Sequence, residues 1–269
     1  MLPVLLDIGF IKIHTLGVFY VLAFFWGSFF LWKNISLTSF KEDQIFDALF
    51  VGLFGSLVFG RVAYVLMNFD DFGFNILRYI LLNGYPGIHF LSSLVGFIIF
   101  IYLFSVNKKF SFMKFIDYMI PPILLTVGIG KLGAFFSGSE IGSQTNFFLS
   151  LAYPNLDGVR HLTAFYEAIL YFVGAYFAYQ IVMQIRRQLY YPGFSLIIGV
   201  LIVSLITVVL DNIYAFRTVV GGLYIDFWVS LILVLTTSGY VVYYFREHLL
   251  QFVKNIYLKT FKKASDTKI

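Results

Sequence analysis

Residues 115–136, FIDYMIPPILLTVGIGKLGAFF, decide the architecture of this chain. At about 20 residues a segment is long enough to cross a bilayer as a helix. This one is apolar apart from polar interruptions, of which Lys131 is the most telling. It runs on through GIGKLGAFFSGSEIGS, residues 128–143, so Glu140 follows closely. A charge within a hydrocarbon-suited segment is costly unless it faces the protein interior, a partner charge or a polar ligand. Pro121 and Pro122 are expected to bend this helix near its start.

The whole chain is of the same kind. Of its 269 residues 60% are hydrophobic and 12% charged, with mean hydropathy +0.86, 34 Phe and 19 Tyr. A soluble surface needs roughly twice that charge. Six other stretches, 14–33, 45–67, 88–106, 163–184, 194–211 and 223–245, are also long enough to span. The sixth span in chain order is expected to tilt or break near Asp211. The first apolar run lacks a basic start and a small-residue cleavage pattern, so it reads as a retained span. No linker or repeat divides the chain. The expectation is an all-α polytopic membrane protein with about seven transmembrane helices, residues 1–269 forming one integral-membrane domain. The absence of cysteine excludes disulfides, thiolate catalysis and cysteine metal sites, and the 4 histidines have no zinc-motif spacing.

Basic residues orient the spans. Lys33 and Lys41, then Lys108, Lys109 and Lys114, then Arg186 and Arg187, and finally Arg246, Lys254, Lys259, Lys262, Lys263 and Lys268 follow alternate spans. The positive-inside tendency puts these residues in the cytoplasm, the N-terminus outside, and residues 246–269 in a basic cytoplasmic tail. The net charge of +5 is therefore mostly a rim suited to anionic lipid headgroups and implies no nucleic acid.

With that orientation the remaining ionisable groups gather at one depth, near the outer leaflet. They are His14, Arg61 with Tyr64, His89, Lys131, Arg160 with His161, Tyr166 and Glu167, Asp211 and Asp226. Each has a plainer use. Arg61 and Lys131 can snorkel to headgroups. The histidines can be structural, Glu167 can balance Arg160 or Arg61, and Asp211 and Asp226 can balance Arg217. Their shared depth is what favours a site. Arginine and lysine can hold a phosphate, and a histidine or carboxylate can take a proton. Beside a lipid leaflet, that chemistry leaves open lipid transfer, lipid transport or a noncatalytic scaffold.

Several motifs bring a family into view. The segments IKIHTLG, GRVAYVLM, GYPGIHF, GIGKLGAFFSGSEIG and RHLTAFYE, spread over most of residues 10–245, resemble in order and spacing those of the prolipoprotein diacylglyceryl transferases. That family consists of seven-span enzymes of the bacterial cytoplasmic (inner) membrane. They move the diacylglyceryl group of phosphatidylglycerol to a lipoprotein signal-sequence cysteine. The resemblance implies phosphate-binding roles for Arg61, Lys131 and Arg160, and His89 as leading proton acceptor with Glu167 or Glu140 tuning the network. His14, Tyr64, His161, Tyr166 and Asp211 support them. It implies no metal or cofactor, and phosphatidylglycerol, a lipoprotein signal sequence and membrane lipids as partners.

The chain also departs from the family. Leu16 replaces a tyrosine, Phe90 and Leu91 replace two glycines, and Leu162 and Ala164 replace a proline and a glutamine. The family signature Gly-Arg-x-Gly-Asn-Phe-x-Asn-x-Glu-x-x-Gly meets Gly130, Lys131, Gly133, Ala134, Phe135, Ser137, Ser139 and Gly142. Glu140 thus stands one residue beyond the family's acid, a step that turns a helical side chain by about 100° unless a loop recovers it. A family arginine in the sixth span falls at Thr207, with Arg217 an alternative cation. A divergent lipid-binding or scaffold protein is the other reading.

Overall fold

Seven helices long and apolar enough to cross a membrane are present in the computed structural model of the chain. The structure describes residues 2–9, 12–36, 38–82, 84–153, 156–217, 219–220 and 222–266, with side chains as far as residue 247. The helices are α1 (Thr15–Ile35), α2 (Glu42–Met67), α3 (Phe90–Asn107), α4 (Phe112–Ser137), α5 (Thr163–Arg186), α6 (Phe194–Leu210) and α7 (Ile225–Asp266). The side chains of Lys254, Lys259, Lys262 and Lys263, and all of Lys268, lie outside the described residues.

Short elements unread in the sequence decorate one end of the bundle. β1 (Val4–Asp7) pairs with β2 (Lys12–His14), β3 (Ser150–Ala152) with β4 (Val159–His161), and β5 (Val219–Val220) with β6 (Leu223–Tyr224), all antiparallel. The α2–α3 connection adds two short helices, Phe69–Phe72 and Ile76–Ile80. This is the hairpin end. The opposite, basic end carries the connections rich in lysine and arginine.

Helix α4 is the hub, packed on α1, α5 and α6, while α2 packs on α3 and α7 leans chiefly on α6. Pro121 and Pro122 lie within α4 without interrupting it. Close approach depends on small residues: a Cβ on Gly96 of α3 would stand 2.4 Å from the Gly55 carbonyl oxygen of α2. The sixth crossing does break at Asp211, where α6 tightens into a 3-10 turn over Asp211–Ile213.

The largest completely buried side chains include Ile35, Ile45, Ile101, Phe115, Ile116 and Met119, each at most 1% exposed. These six belong to the basic half. There Asp117 of α4, itself buried, accepts hydrogen bonds from the backbone N–H groups of Gly193 (2.6 Å) and Ser195 (3.0 Å). Those amides open α6, so a carboxylate from a neighbouring helix satisfies donors that α6 cannot satisfy internally. The hairpin half keeps room for a polar cavity.

Candidate functional site

At its hairpin end α4 finishes on Gly138, whose left-handed conformation (φ 72°, ψ 23°) suits a residue without Cβ. The chain leaves the helix there, so the helical phase no longer governs Glu140. Its carboxylate folds back over the last turn of α4 and accepts from Lys131 Nζ at 2.8 and 3.0 Å. The same ammonium lies 2.6 Å from Glu167 Oε2 on α5. Tyr214, just beyond α6, closes the group. Its hydroxyl is 2.7 Å from Glu167 Oε2 and 3.0 Å from Glu140 Oε2, and accepts from Lys131 at 3.3 Å. Burial, then Glu167 and Glu140, push the Tyr214 phenol well up, so it remains a donor.

This cluster borders a cavity of about 290 Å³. Phe90, Leu91, Thr207, Asp211, Arg217 and Asp226 complete much of the wall. Arg217 Nε donates to Asp211 at 2.8 Å, its Nη2 contacts Asp211 and Asn212, and its guanidinium lies 3.6 Å from the centroid of the Tyr224 ring. Asp226, from the start of α7, meets His89 Nε2 at 2.7 Å. The other ring nitrogen, Nδ1, accepts from the Ser92 backbone N–H (3.3 Å) and lies 2.8 Å from Ser92 Oγ, so His89 caps α3 while holding α7. Thr207, where the family arginine was expected, donates to the Val203 carbonyl of its own helix, and Arg217 supplies a cation to the same cavity.

Of the residues expected from sequence, the structure therefore brings together Lys131, Glu140, Glu167 and Asp211, with His89 behind Asp226. The others stand elsewhere. Arg61 is buried, but its guanidinium donates to the carbonyls of Arg78, Tyr79, Tyr85 and Gly87 at 2.7–2.9 Å. That geometry ties down the α2–α3 connection, and Arg61 is not among the residues that line the cavity. Tyr64 packs against Gly87, where an added Cβ would meet the ring at 2.1 Å. Arg160 Nη1 donates to the Gly142 carbonyl at 3.3 Å, and its Nε has no hydrogen-bond partner among the described residues. His161 and Tyr166 join Phe147 in a ring cluster with centroids 6.1–6.3 Å apart, and Tyr166 donates to the Leu149 carbonyl. His14 is exposed on β2. Arg160, His161 and His14, on strands, and Tyr64 and Tyr166, on α2 and α5, are absent from the cavity wall.

Arg61→Lys should loosen the α2–α3 connection, since a single ammonium cannot span four carbonyls arranged for a planar fork. Hydrogen bonds from a charged group contribute about 1.5–3 kcal/mol each. Limited proteolysis between residues 73 and 88 should accelerate at least about tenfold; unchanged cleavage would contradict the stapling role.

Tyr214 and Ser92 are the participants that sequence reasoning missed. One tyrosine among 19 carries no distinguishing signal, and Ser92 becomes visible only as the third residue after a histidine cap.

A family model described as prolipoprotein diacylglyceryl transferase matches residues 3–254. Three similar proteins bear the name phosphatidylglycerol–prolipoprotein diacylglyceryl transferase. That of Clostridium tetani is 26% identical over 182 residues, covering 66% of this chain and 72% of its own. The Wigglesworthia glossinidia brevipalpis protein is 28% identical over 156 residues, covering 56% and 55%, and that of Chromohalobacter salexigens 30% over 174 residues, covering 62% and 63%. For the last two, less than two thirds of the relative's length is matched. A match running through nearly all of the seven-helix bundle, cavity included, places the chain in the prolipoprotein diacylglyceryl transferase family.

Proposed function

We propose that the chain transfers a diacylglyceryl group from phosphatidylglycerol to the cysteine thiol of a lipoprotein signal sequence. The observation that carries this reading is the meeting of a polar and an apolar cavity at Leu91. The residue lines both the charged cavity and an apolar one of about 120 Å³ between α3, α4, α6 and α7, whose walls include Ile98, Ile120, Val203 and Val229. A phospholipid has that division of chemistry, a charged headgroup joined to hydrocarbon.

In this reading the cysteine sulfur attacks the glycerol carbon bonded to the phosphate oxygen. The C–S bond forms as the C–O bond breaks, and glycerol phosphate leaves with the electron pair. Arg217 and Lys131 stabilise the departing phosphate. Glu140 and Glu167 share one lysine, so the three groups carry one surplus negative charge when both acids are ionised. A single proton neutralises it. Glu140, the more exposed of the two at 31%, takes the thiol proton, and His89 positions Asp226 in the wall. The nucleophile comes from the peptide, since this chain has no cysteine.

Purified protein incubated with phosphatidylglycerol and a lipobox peptide should yield the thioether-linked peptide, read by mass. The second reading, a lipid-binding descendant without transfer, is favoured by the fact that Lys131 and Arg217 both already face carboxylates. It predicts saturable lipid binding and no thioether.

The same reading places the chain in the bacterial cytoplasmic membrane with the hairpin end and N-terminus outside and the basic end inside. Cysteine substitutions beside Asp157, Lys108 and Arg186 check this arrangement. An impermeant thiol reagent should label only the first in intact cells, and labelling beside Lys108 would reverse the topology.

A further inference from the structure

The basic end holds a second cavity, of about 710 Å³, at the opposite end of the bundle. Lys114 and Lys131 are both on α4, and the rise of a helix separates them by roughly 25 Å. The walls come from the α1–α2 connection, the start of α4, the α5–α6 turn and α7, and carry Lys114, Arg186, Tyr118, Tyr190, Tyr191 and Tyr244.

Its charge balance differs from that of the hairpin-end cavity. There, Lys131 and Arg217 lie against carboxylates. Here, neither Lys114 nor Arg186 has an ion-pair partner among the described residues. The acid in the wall, Asp117, is occupied by the amides that open α6. Two cations therefore face one chamber without a neutralising side chain at contact distance. Tyrosines at the ends of spanning helices sit at headgroup depth, with apolar rings and polar tips. Leu189, 63% exposed, adds an apolar rim. An adjoining cavity of about 620 Å³ shares Leu189, Tyr190 and Tyr244 and brings Arg246 and Glu247 to the same surface.

We propose that this chamber binds the phosphate of an anionic phospholipid at the basic-end interface, with Lys114 and Arg186 as its cations and the tyrosines around the glyceryl portion. The ligand would bridge α4 and the α5–α6 turn, two elements already joined by Asp117. It is a lipid site separate from the transfer cavity and does not depend on transfer.

The test uses the full chain in phosphatidylcholine vesicles doped with phosphatidylglycerol bearing a diazirine near its glycerol backbone. Photolysis should give adducts within residues 185–192. In the Lys114→Gln/Arg186→Gln double variant they should fall at least about tenfold, because two interfacial charges are lost. Lys114→Arg/Arg186→Lys should retain them. Adducts within residues 128–143 should stay unchanged in both, showing that the bundle is folded. Suppression by millimolar inorganic phosphate would identify the phosphate group as sufficient for recognition; adducts that resist phosphate yet vanish with the charges would assign recognition to the lipid-borne headgroup. Undiminished labelling of residues 185–192 in the glutamine double variant, or equal labelling by a phosphatidylcholine probe, would overturn the proposal.

Discussion

Replacing Lys131 with glutamine is expected to lower folded stability by about 3–5 kcal/mol, the range for breaking a buried ion pair by removing one partner. The side chain is 15% exposed and Glu167 7%, so little water is at hand to absorb the change. Without the ammonium, Glu140 and Glu167 face one another through a tyrosine hydroxyl whose single proton satisfies one carboxylate at a time. Thermal unfolding in detergent reads the loss. Adding Glu167→Gln to Lys131→Gln should recover much of it, because the pair of like charges is then gone. Lys131→Arg should remain near the parent, since a planar fork can serve two carboxylates. A Lys131→Gln protein as stable as the parent would mean that the lysine merely snorkels and the cluster contributes nothing to folding.

The largest expected effect on turnover is at Glu140. Glu140→Gln keeps the hydrogen-bonding shape but cannot take a proton, and loss of a positioned acid or base slows transfer by roughly 10²–10⁴-fold. His89→Gln is expected to fall less than about tenfold, provided that the amide still holds Asp226 and caps α3. The contrast separates the two acceptors. Both ring nitrogens of His89 are engaged, whereas Glu140 borders the cavity directly. Thioether formation measured at equal folded concentration decides between them. A near-normal Glu140→Gln enzyme beside an inactive His89→Gln enzyme would move the proton to the His89–Asp226 pair.

Sequence legibility followed the range of the interactions. The seven crossings were readable because length and apolar composition are properties of each segment alone. Lys131 and Glu167 could be singled out because a charge in hydrocarbon demands a partner, but the identity of that partner was not legible. Glu167 could as well have matched Arg61 or Arg160, and only packing of α4 on α5 settles the pairing with Lys131. Arg61 shows the opposite case. An arginine at the right depth reads as a phosphate fork, yet in the structure its donors meet four carbonyls of the α2–α3 connection. Glu140 stands one residue beyond the family's acid, and whether a loop returns it to Lys131 is decided by Gly138, which ends the helix before it. Thr207 and Arg217 make the same point across a longer interval: different positions in the chain reach one cavity wall.

The unequal burial along the bundle has a mechanical consequence. The spanning window of α7 is 6% buried against 44% for α4, and Ile35, Ile45, Phe115 and Ile116 lock the basic half. Helix α7 is therefore the lightly held wall of the charged and apolar cavities, tied to α3 by the His89–Asp226 contact, while α4 with its Asp117 junction is the firmly packed one. Moving α7 outward breaks the His89–Asp226 contact and its packing on α6 but uncovers few fully buried side chains, whereas moving α4 would expose Phe115, Ile116 and Met119. Amide hydrogen exchange in detergent should accordingly be faster over residues 225–240 than over residues 112–124. In the proposed reading, a two-chain lipid entering beside α7 would then need only a local outward shift of that one helix.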